Sequence, residues 1–253
     1  RLLDPPLHEF LPKGKKEIAE LAKDLKITNK KLHETIDSLH EANPMLGHRG
    51  CRLGITYPEI TSIQTTAIIK AYQKLQKEGF KPKPEIMIPL VGSLGEFIHQ
   101  KNIVVSTIKK LGAEHLNIKI GTMIELPRAC LIADQIAKHA DFISFGTNDL
   151  TQTTFGFSRD DIGSFMPEYI AQDIIQSDPF EILDIKGVGE LIKLAVNRAK
   201  KTNKNIKIGI CGEHGGNPES IKFLYHVGIH YVSCSPYRVP IAYLTLAQLS
   251  SIK

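Results

Sequence analysis

Short apolar runs alternate with longer amphipathic segments along most of this chain. The apolar runs predict seven strands, at residues 2–3, 47–53, 85–91, 118–124, 142–145, 206–210 and 230–233. The longer segments show helical periodicity, most clearly at residues 15–25, 29–40, 57–79, 94–111 and 188–201, and residues 154–186 are predicted to be rich in loops. Strands that are apolar at almost every position are typical of a parallel sheet whose helices cover it.

Two architectures fit this alternation, a doubly wound sheet and a (β/α)₈ barrel. A doubly wound nucleotide-binding sheet is expected to carry a glycine-rich turn after its first strand, and neither GxGxxG nor a phosphate loop is present. The pattern therefore favours an α/β fold of the TIM (β/α)₈ barrel type, with residues 1–253 as a single domain. Because the chain opens inside a predicted strand at Arg1, we expect the first βα unit to lie upstream.

Composition excludes several classes of partner. The net charge of +5 comes from 32 basic and 27 acidic residues, and the lysines are scattered over helices without interleaved aromatic residues, which argues against nucleic-acid binding. There is neither an 18-residue apolar run nor a signal-peptide pattern, so no membrane association is expected. Four cysteines without CxxC spacing favour a reducing, cytoplasmic compartment.

Polar side chains follow several of the predicted strands. Asn148 and Asp149 come after residues 142–145, and Glu125 follows residues 118–124. Parallel strands end at one edge of a sheet, so we expect these oxygen ligands to lie close together and to suit Mg²⁺, with Mn²⁺ as a second choice. The alternative is that Glu125 is an ordinary acid at a helix start and Asp149 an ordinary turn residue.

Two arginines are candidates to bind an anion at the same edge. Arg1 lies on the first predicted strand, and Arg49 lies in the second. A guanidinium group binds phosphate or carboxylate oxygens through two parallel hydrogen bonds. The alternative for each is a salt bridge at the rim of the barrel.

Cys211 and Ser233 also fall at carboxyl ends of predicted strands. Cys211 could act as a general acid or base if its surroundings adjust its pKa. Three alternatives stay open: a small buried apolar residue, a zinc ligand together with His214, and a nucleophile activated by a histidine. A nucleophile would explain neither the carboxylates nor the arginines.

Six segments carry a family resemblance that covers the chain from end to end. They are RLLDPPLHEF (1–10), NPMLGHRGCR (43–52), GTMIELPRA (121–129), FGTNDLTQ (145–152), GICGEHGG (209–216) and VSCSPYRVPIA (232–242). They resemble the C-terminal phosphoenolpyruvate/pyruvate-binding domain of the pyruvate, phosphate dikinase family. The related phosphoenolpyruvate synthases and phosphotransferase-system enzymes I share the metal acids and the NDLTQ block, and we rank them second.

The resemblance implies one half-reaction of a multidomain phosphotransferase. The whole enzyme converts ATP, phosphate and pyruvate into AMP, diphosphate and phosphoenolpyruvate through a phosphohistidine on a swivelling domain, with a separate ATP-binding domain as a further partner. None of the ten histidines here has the setting of that carrier. We therefore expect this chain alone not to turn over ATP, and a non-catalytic binding or dimerisation module remains the alternative. The family also implies a homodimer.

The resemblance also implies roles for individual residues. Glu125 and Asp149 would hold Mg²⁺, and Cys211 would move the proton at the substrate's methyl or methylene carbon. The substrate oxygens would be bound by Arg1, Arg49, Gly146, Thr147 and Asn148 together with the metal ligands, and Asp4 would orient Arg1. The sequence departs from the family pattern at Tyr243, where an arginine is common, and in lacking the strand that carries a further active-site arginine.

Overall fold

A parallel sheet of five strands forms the centre of the structure, a computed structural model that describes residues 1–251. The strands are β1 (Glu85–Ile88), β2 (Lys119–Ile124), β3 (Phe142–Gly146), β4 (Lys207–Cys211) and β5 (Tyr231–Val232). Their order in the sheet is the same as their order in the sequence, and every neighbouring pair is parallel. All five carboxyl ends therefore lie at one edge.

Twelve α-helices are present in residues 1–251. They are α1 (Lys15–Asp24), α2 (Asn29–Ser38), α3 (Gly50–Thr56), α4 (Pro58–Lys77), α5 (Leu94–Lys110), α6 (Pro127–Leu131), α7 (Ala133–Ala137), α8 (Thr147–Phe155), α9 (Met166–Ala171), α10 (Glu190–Thr202), α11 (Pro218–Val227) and α12 (Val239–Ser251). A short π-helical turn, Ile185–Gly189, precedes α10. None of these helices is long and apolar enough to cross a membrane.

The sequence predicted seven strands, and two of these predictions are wrong. Residues 47–53 lead into α3 instead, because Gly50 adopts φ +56° and ends the extended backbone. Gly54 then lets α3 approach α5 closely, since a Cβ there would lie 2.5 Å from Gln100 Oε1. Residues 2–3 form no strand, although Leu2 N donates a hydrogen bond to Met87 O at 2.9 Å. The other five predicted strands are confirmed.

The helices begin where their sequences supply caps. Ser93 and Glu96 form a reciprocal capping box at the start of α5, with Ser93 N donating to Glu96 Oε2 at 2.8 Å. Asn217 caps α11 and Pro218 occupies its first turn. The predicted loop at residues 154–186 contains one helix, α9, and a short 3-10 turn, Ile162–Ser164.

The two faces of the sheet differ in chemistry. One face carries isoleucine and phenylalanine side chains such as Ile124, Ile143 and Phe145, which are fully buried in the main hydrophobic core. Burying each such side chain contributes about 1.5–3 kcal/mol relative to exposure. The opposite face mixes small residues, such as Ser144 and Gly209, which are paired in the β3–β4 register, with larger ones such as Met123. The site described below lies on the side of this second face, at the carboxyl edge of the sheet.

Two small satellite clusters lie outside the main core. Ile18, Ala22 and Leu32 hold α1 against α2. Ile162, Met166 and Phe180 form the second cluster, together with partly buried aromatic residues such as Phe157.

Candidate functional site

The carboxyl edge of the sheet brings together most of the predicted site residues. Glu125 follows the last residue of β2, and Gly146 ends β3. Thr147, Asn148 and Asp149 form the first turn of α8, so the amide and the acid lie on a helix start and not on an open loop. Cys211 is the last residue of β4 and pairs with Gly146 in the register. Groups that are far apart in the sequence therefore lie close together along this edge.

Two adjoining cavities open at this edge. The first, which we call the edge pocket, has a volume of about 340 Å³, and it is lined by Arg1, Met87, Met123, Glu125, Gly146, Thr147, Asn148, Asp149, Cys211 and Gly212. The second, the mouth pocket, has a volume of about 280 Å³ and shares Arg1, Asn148 and Asp149 with the first. Its lining adds Asp4, Arg49, Gln152 and Arg159, with other residues. Ser233, which was predicted at the same edge, lines neither cavity.

Arg49 is the most buried cation of the site, with 3% of its side chain exposed. Its Nη2 donates to Asp4 Oδ2 at 2.8 Å and its Nη1 donates to Asp149 Oδ1 at 3.0 Å. Burial alone would lower the pKa of Arg49, but Asp149 and Asp4 outweigh it and raise the pKa. Arg49 is therefore a fixed positive charge between two carboxylates.

Arg1 is held less tightly than Arg49. Its Nη1 lies 3.1 Å from Asp4 Oδ2, and 40% of its side chain is exposed. Asp4 thus contacts both arginines through the same carboxylate oxygen, Oδ2, while its Oδ1 is buried without a hydrogen-bond partner. The predicted contact between Asp4 and Arg1 is present, and Asp4 also orients Arg49.

Glu125 is almost fully buried beside other acids. Burial raises the pKa of Glu125 to about 8, with Asp149 and Asp4 adding to the shift. A hydrogen bond from Leu90 N to Glu125 Oε1 and the charge of Arg49 act in the opposite direction. Without a further cation, this carboxyl group is mostly protonated at pH 7.

The donor set at the edge suits a hard divalent cation. Burial and the nearby Asp149 both raise the pKa of Glu125, and Asn148 Oδ1 is buried without a hydrogen-bond partner. Within residues 1–251, no group of three or more His, Cys, Asp and Glu side chains converges as a complete metal cage. Two carboxylates and an amide oxygen with open positions match the way proteins bind Mg²⁺, which retains water and substrate oxygens.

Two glycines leave space around these ligands. A Cβ at Gly146 would lie 2.4 Å from Glu125 Oε2, so the carboxylate occupies the volume of the missing side chain. Gly212 adopts φ +111°, and a Cβ there would lie 2.6 Å from Thr147 Oγ1. Any larger residue at either position would displace the groups that line the edge pocket.

Cys211 is a protonated thiol at neutral pH. Burial raises the pKa of Cys211 to about 11, and Glu125 adds to the shift. The thiol points to Phe145 O at 3.5 Å, and a hydrogen bond with Ser144 favours the thiolate. A thiol in this state can donate a proton but is a poor nucleophile.

Sequence reasoning missed Ser144 and Tyr231. Ser144 makes side-chain hydrogen bonds with both Cys211 and Tyr231, which lower the pKa of each. Tyr231 crosses over Gly209 to reach Ser144, since a Cβ at Gly209 would lie 2.0 Å from the Tyr231 ring. Ser144 precedes Gly146 by two residues and therefore shares its face of β3, which is the signal that could have identified it.

His214 does not act as a free base at this edge. It is fully buried, its Nε2 lies 2.9 Å from Pro179 O, and burial lowers its pKa. A neutral imidazole with Nε2–H donating to that carbonyl accounts for this contact. His214 therefore fixes the segment after Cys211, and the structure gives no support to a zinc pair or a Cys–His nucleophile.

The fold and the site together define a parallel α/β domain with carboxylates, an amide and arginines gathered at the carboxyl edge of its sheet. The family model described as PEP-utilising enzyme, PEP-binding domain, matches residues 1–251, where PEP is phosphoenolpyruvate. The chain belongs to this family.

Several relatives of this chain are plant dikinases. Pyruvate, phosphate dikinase, chloroplastic, from Mesembryanthemum crystallinum is 54% identical over 98% of this chain and 27% of its own length. The protein of the same name from Flaveria bidentis is 55% identical over the same shares. Pyruvate, phosphate dikinase 2 from Zea mays is 54% identical over 98% of this chain and 29% of its own length.

This chain therefore spans between a quarter and a third of the length of the relatives that it matches. Among solved structures, a citrate lyase from Burkholderia xenovorans superimposes with a TM-score of 0.44 at 11% identity, covering 66% of this chain and 54% of its own. That likeness is too weak to bear on fold or function.

Proposed function

We propose that this chain binds pyruvate and phosphoenolpyruvate and supports their half-reaction in an enzyme of the pyruvate, phosphate dikinase type. The observation that supports this proposal is that two adjoining cavities are lined by Glu125, Asp149, Arg49 and Cys211. The names of the plant relatives and the match to the PEP-binding family support the choice of substrate. Phosphoenolpyruvate synthase and enzyme I remain the second candidates from the sequence.

Glu125 and Asp149 would hold Mg²⁺, or Mn²⁺ in its place, with Asn148 Oδ1 as a further oxygen at this position. When bound, the cation supplies positive charge at the substrate's carboxylate and carbonyl oxygens, where negative charge develops during the reaction. Gly146 and Thr147 leave room for those oxygens beside the helix start. Asp149 keeps its contact with Arg49 at 3.0 Å, so the arginine also orients the metal ligand.

Arg1 and Arg49 bind the oxygen that gains negative charge and the phosphoryl group that is transferred to it. Arg49 is preorganised by Asp4 and Asp149, so it needs no rearrangement when charge develops. Arg1 is exposed enough to move with the substrate. A fixed charge and an adaptable one thus face the same part of the pocket.

Cys211 transfers the proton at carbon. In the direction of pyruvate, the S–H bond breaks as a C–H bond forms at the methylene carbon, and the electron pair of the enolate becomes the new bond. The thiolate that remains is stabilised by the hydrogen bond with Ser144, which Tyr231 also contacts. In the reverse direction the same group accepts the proton from the methyl carbon.

The sheet is proposed to be part of a (β/α)₈ barrel. The five strands lie in the sheet in the same order as in the sequence. This supports a barrel over a doubly wound sheet, in which the strand order reverses at a switch point. The swivelling phosphohistidine domain and the ATP-binding domain are proposed partners of this chain. Homodimer formation is proposed as well, and equilibrium sedimentation of the chain tests it.

Binding of oxalate, a stable analogue of the pyruvate enolate, tests the proposed function. We expect calorimetry to show oxalate binding that requires Mg²⁺ and that Glu125→Gln reduces by at least about tenfold. Unchanged Mg²⁺-dependent oxalate affinity in Glu125→Gln would remove the metal assignment. Supplying the carrier and ATP-binding domains in trans should then yield phosphoenolpyruvate from pyruvate, ATP and phosphate.

A further inference from the structure

Two features next to the candidate site take no part in the proton transfer at Cys211, and they contact each other. Leu90, which follows β1, adopts φ +58°, a left-handed backbone conformation that is uncommon for a residue with a side chain. Cys51, the second residue of α3, carries a buried thiol. The hydrogen bonds between these two residues lead on to Glu125.

The amide of Leu90 points at the proposed metal ligand. Leu90 N donates a hydrogen bond to Glu125 Oε1, and the two residues are 2% and 1% exposed. The left-handed conformation is unfavourable for every residue except glycine, so contacts with the rest of the fold must maintain it at Leu90. This conformation sets the direction of the Leu90 N–H and thereby the position of the carboxylate that accepts it.

Cys51 holds the backbone on both sides of the Leu90 Cα atom. Cys51 N donates to Pro89 O at 3.2 Å, and Cys51 Sγ donates to Leu90 O at 3.2 Å. Pro89 C=O and Leu90 N–H belong to one planar peptide group, and Leu90 C=O belongs to the next. Burial raises the pKa of Cys51 to about 12, so the thiol keeps the proton that it donates. The two bonds from Cys51 therefore fix the backbone angles of Leu90.

The glycine before Cys51 allows this close contact. Gly50 adopts φ +56°, and a Cβ there would lie 2.7 Å from Leu90 Cβ. No side chain fits at Gly50 without moving Leu90 away from Cys51. The start of α3 and the end of β1 are thus packed backbone against backbone.

The same short segment also contacts the second acid of the site. Arg49 Nη1 donates to Asp149 Oδ1 at 3.0 Å. Residues 49–51 therefore reach Asp149 directly and reach Glu125 through Leu90. Mg²⁺ demands nearly ideal ligand geometry, so the relative placement of the two carboxylates decides how well they bind it.

We propose that Cys51 is a positioning residue of the metal site, which directs Glu125 at the cation by holding Leu90 in its left-handed conformation. This inference rests on the proposed function, because it takes Glu125 as a ligand of Mg²⁺. Cys51 lines neither the edge pocket nor the mouth pocket, so it acts through the peptide groups of Leu90 and not on the substrate.

Calorimetric titration of cysteine variants with Mg²⁺ tests the inference. Cys51→Ala should weaken Mg²⁺ binding by about tenfold or more, the loss expected when the support of a metal ligand is removed. Cys51→Ser keeps a donor for Leu90 O and should lie between Cys51→Ala and the native chain. Cys130→Ala is the matched control, because Cys130 is equally buried in the main core but lies on α6, and it should bind Mg²⁺ as the native chain does. Equal Mg²⁺ affinities of Cys51→Ala and Cys130→Ala would overturn the inference.

Two variants of Leu90 separate backbone positioning from packing. Leu90→Gly removes the whole side chain but accepts a positive φ, whereas Leu90→Val keeps most of the side chain and disfavours a positive φ because it is branched at Cβ. If the left-handed backbone positions Glu125, Leu90→Gly binds Mg²⁺ more tightly than Leu90→Val. The reverse order of affinities would show that Leu90 acts only through packing, and the inference would be wrong.

Hydrogen exchange of the Leu90 amide, followed by NMR without metal, gives a readout that does not depend on Mg²⁺ binding. Exchange should be faster in Cys51→Ala than in Cys130→Ala, and equal rates would contradict the role of Cys51. A native chain that binds no Mg²⁺ would instead contradict the proposed function.

Discussion

Asp149 Oδ1 lies 3.0 Å from Arg49 Nη1, so an acid assigned to the metal is also paired with the most buried arginine of the site. This contact joins the two halves of the proposed chemistry. A carboxylate held by a fixed cation keeps its orientation, whereas Glu125 takes up a proton when no metal is present. The site is therefore preorganised at Asp149 and adjustable at Glu125.

Removing Arg49 should destabilise the chain strongly. Arg49→Met leaves Asp4 and Asp149 without their buried partner, and we expect the free energy of unfolding to fall by roughly 3–5 kcal/mol in urea at pH 7 without Mg²⁺. Lys193→Met breaks an exposed pair with Glu190 and should cost less than about 1 kcal/mol. A loss in Arg49→Met no greater than in Lys193→Met would show that the buried network does not stabilise the fold.

Metal binding should release a proton from Glu125. Since the pKa of Glu125 is about 8 without a cation, Mg²⁺ affinity should rise with pH up to about 8 and then level off. Calorimetry in two buffers of different ionisation heat should show close to one proton released at pH 7 and almost none at pH 9.5. Proton release at pH 7 that persists in Glu125→Gln would assign the titration to another group.

The same pKa gives the metal-free chain a pH-dependent stability. The folded-state pKa lies above the ordinary value of 4.5, so the stabilising contribution of Glu125 is complete below pH 4.5 and is lost as pH rises to about 8. Glu125→Gln, which stays neutral, should flatten this part of the unfolding free energy profile. Identical slopes for the two proteins between pH 5 and 8 would be inconsistent with a buried, protonated Glu125.

Gly146 should tolerate no side chain. An alanine Cβ would lie 2.4 Å from Glu125 Oε2, and Glu125 is held by Leu90 N on its other oxygen. Gly146→Ala should lower Mg²⁺ affinity by about 10- to 100-fold, as displaced ligand support does elsewhere. Gly163→Ala is the control, because a Cβ there meets no atom within 4 Å. Equal Mg²⁺ affinity in both variants would contradict the placement of Glu125.

Ser144 should control the acidity of Cys211. Loss of its hydroxyl in Ser144→Ala removes a hydrogen bond that favours the thiolate, so the pKa of Cys211 should rise above its value of about 11. The rate of iodoacetamide labelling of Cys211, followed by mass spectrometry from pH 7 to 10, should fall in the variant. Labelling of Cys234 serves as the internal control. Unchanged labelling of Cys211 would mean that Ser144 does not reach the thiol.

The apolar runs were enough to predict the five strands of the sheet, of which β2, β3 and β4 are largely buried. They did not predict α3, since a short apolar segment such as residues 47–53 has no distinct period. The deciding features are the positive φ of Gly50 and the close approach of Gly54 to Gln100, and both depend on tertiary contacts.

The site, like the fold, could be predicted from the sequence only in part. The placement of Glu125, Asp149 and Cys211 at one edge could be predicted because each stands at or just after a strand end in the sequence. Ser144 and Tyr231 were missed because their contact depends on Gly209, whose missing side chain lets Tyr231 reach across β4. The partial burial of Arg1 and the contact of Cys51 with Leu90 could likewise be found only from the folded structure.

Hydrogen exchange at the methyl group of pyruvate tests the central claim most directly. With Mg²⁺ in deuterated water, the native chain should exchange this methyl group, as followed by proton NMR, faster than Mg²⁺ alone does. Cys211→Ala should slow the exchange by about 100-fold or more while leaving Mg²⁺-dependent oxalate affinity unchanged. Exchange at the native rate in Cys211→Ala, or none above the Mg²⁺ background in the native chain, would contradict the account.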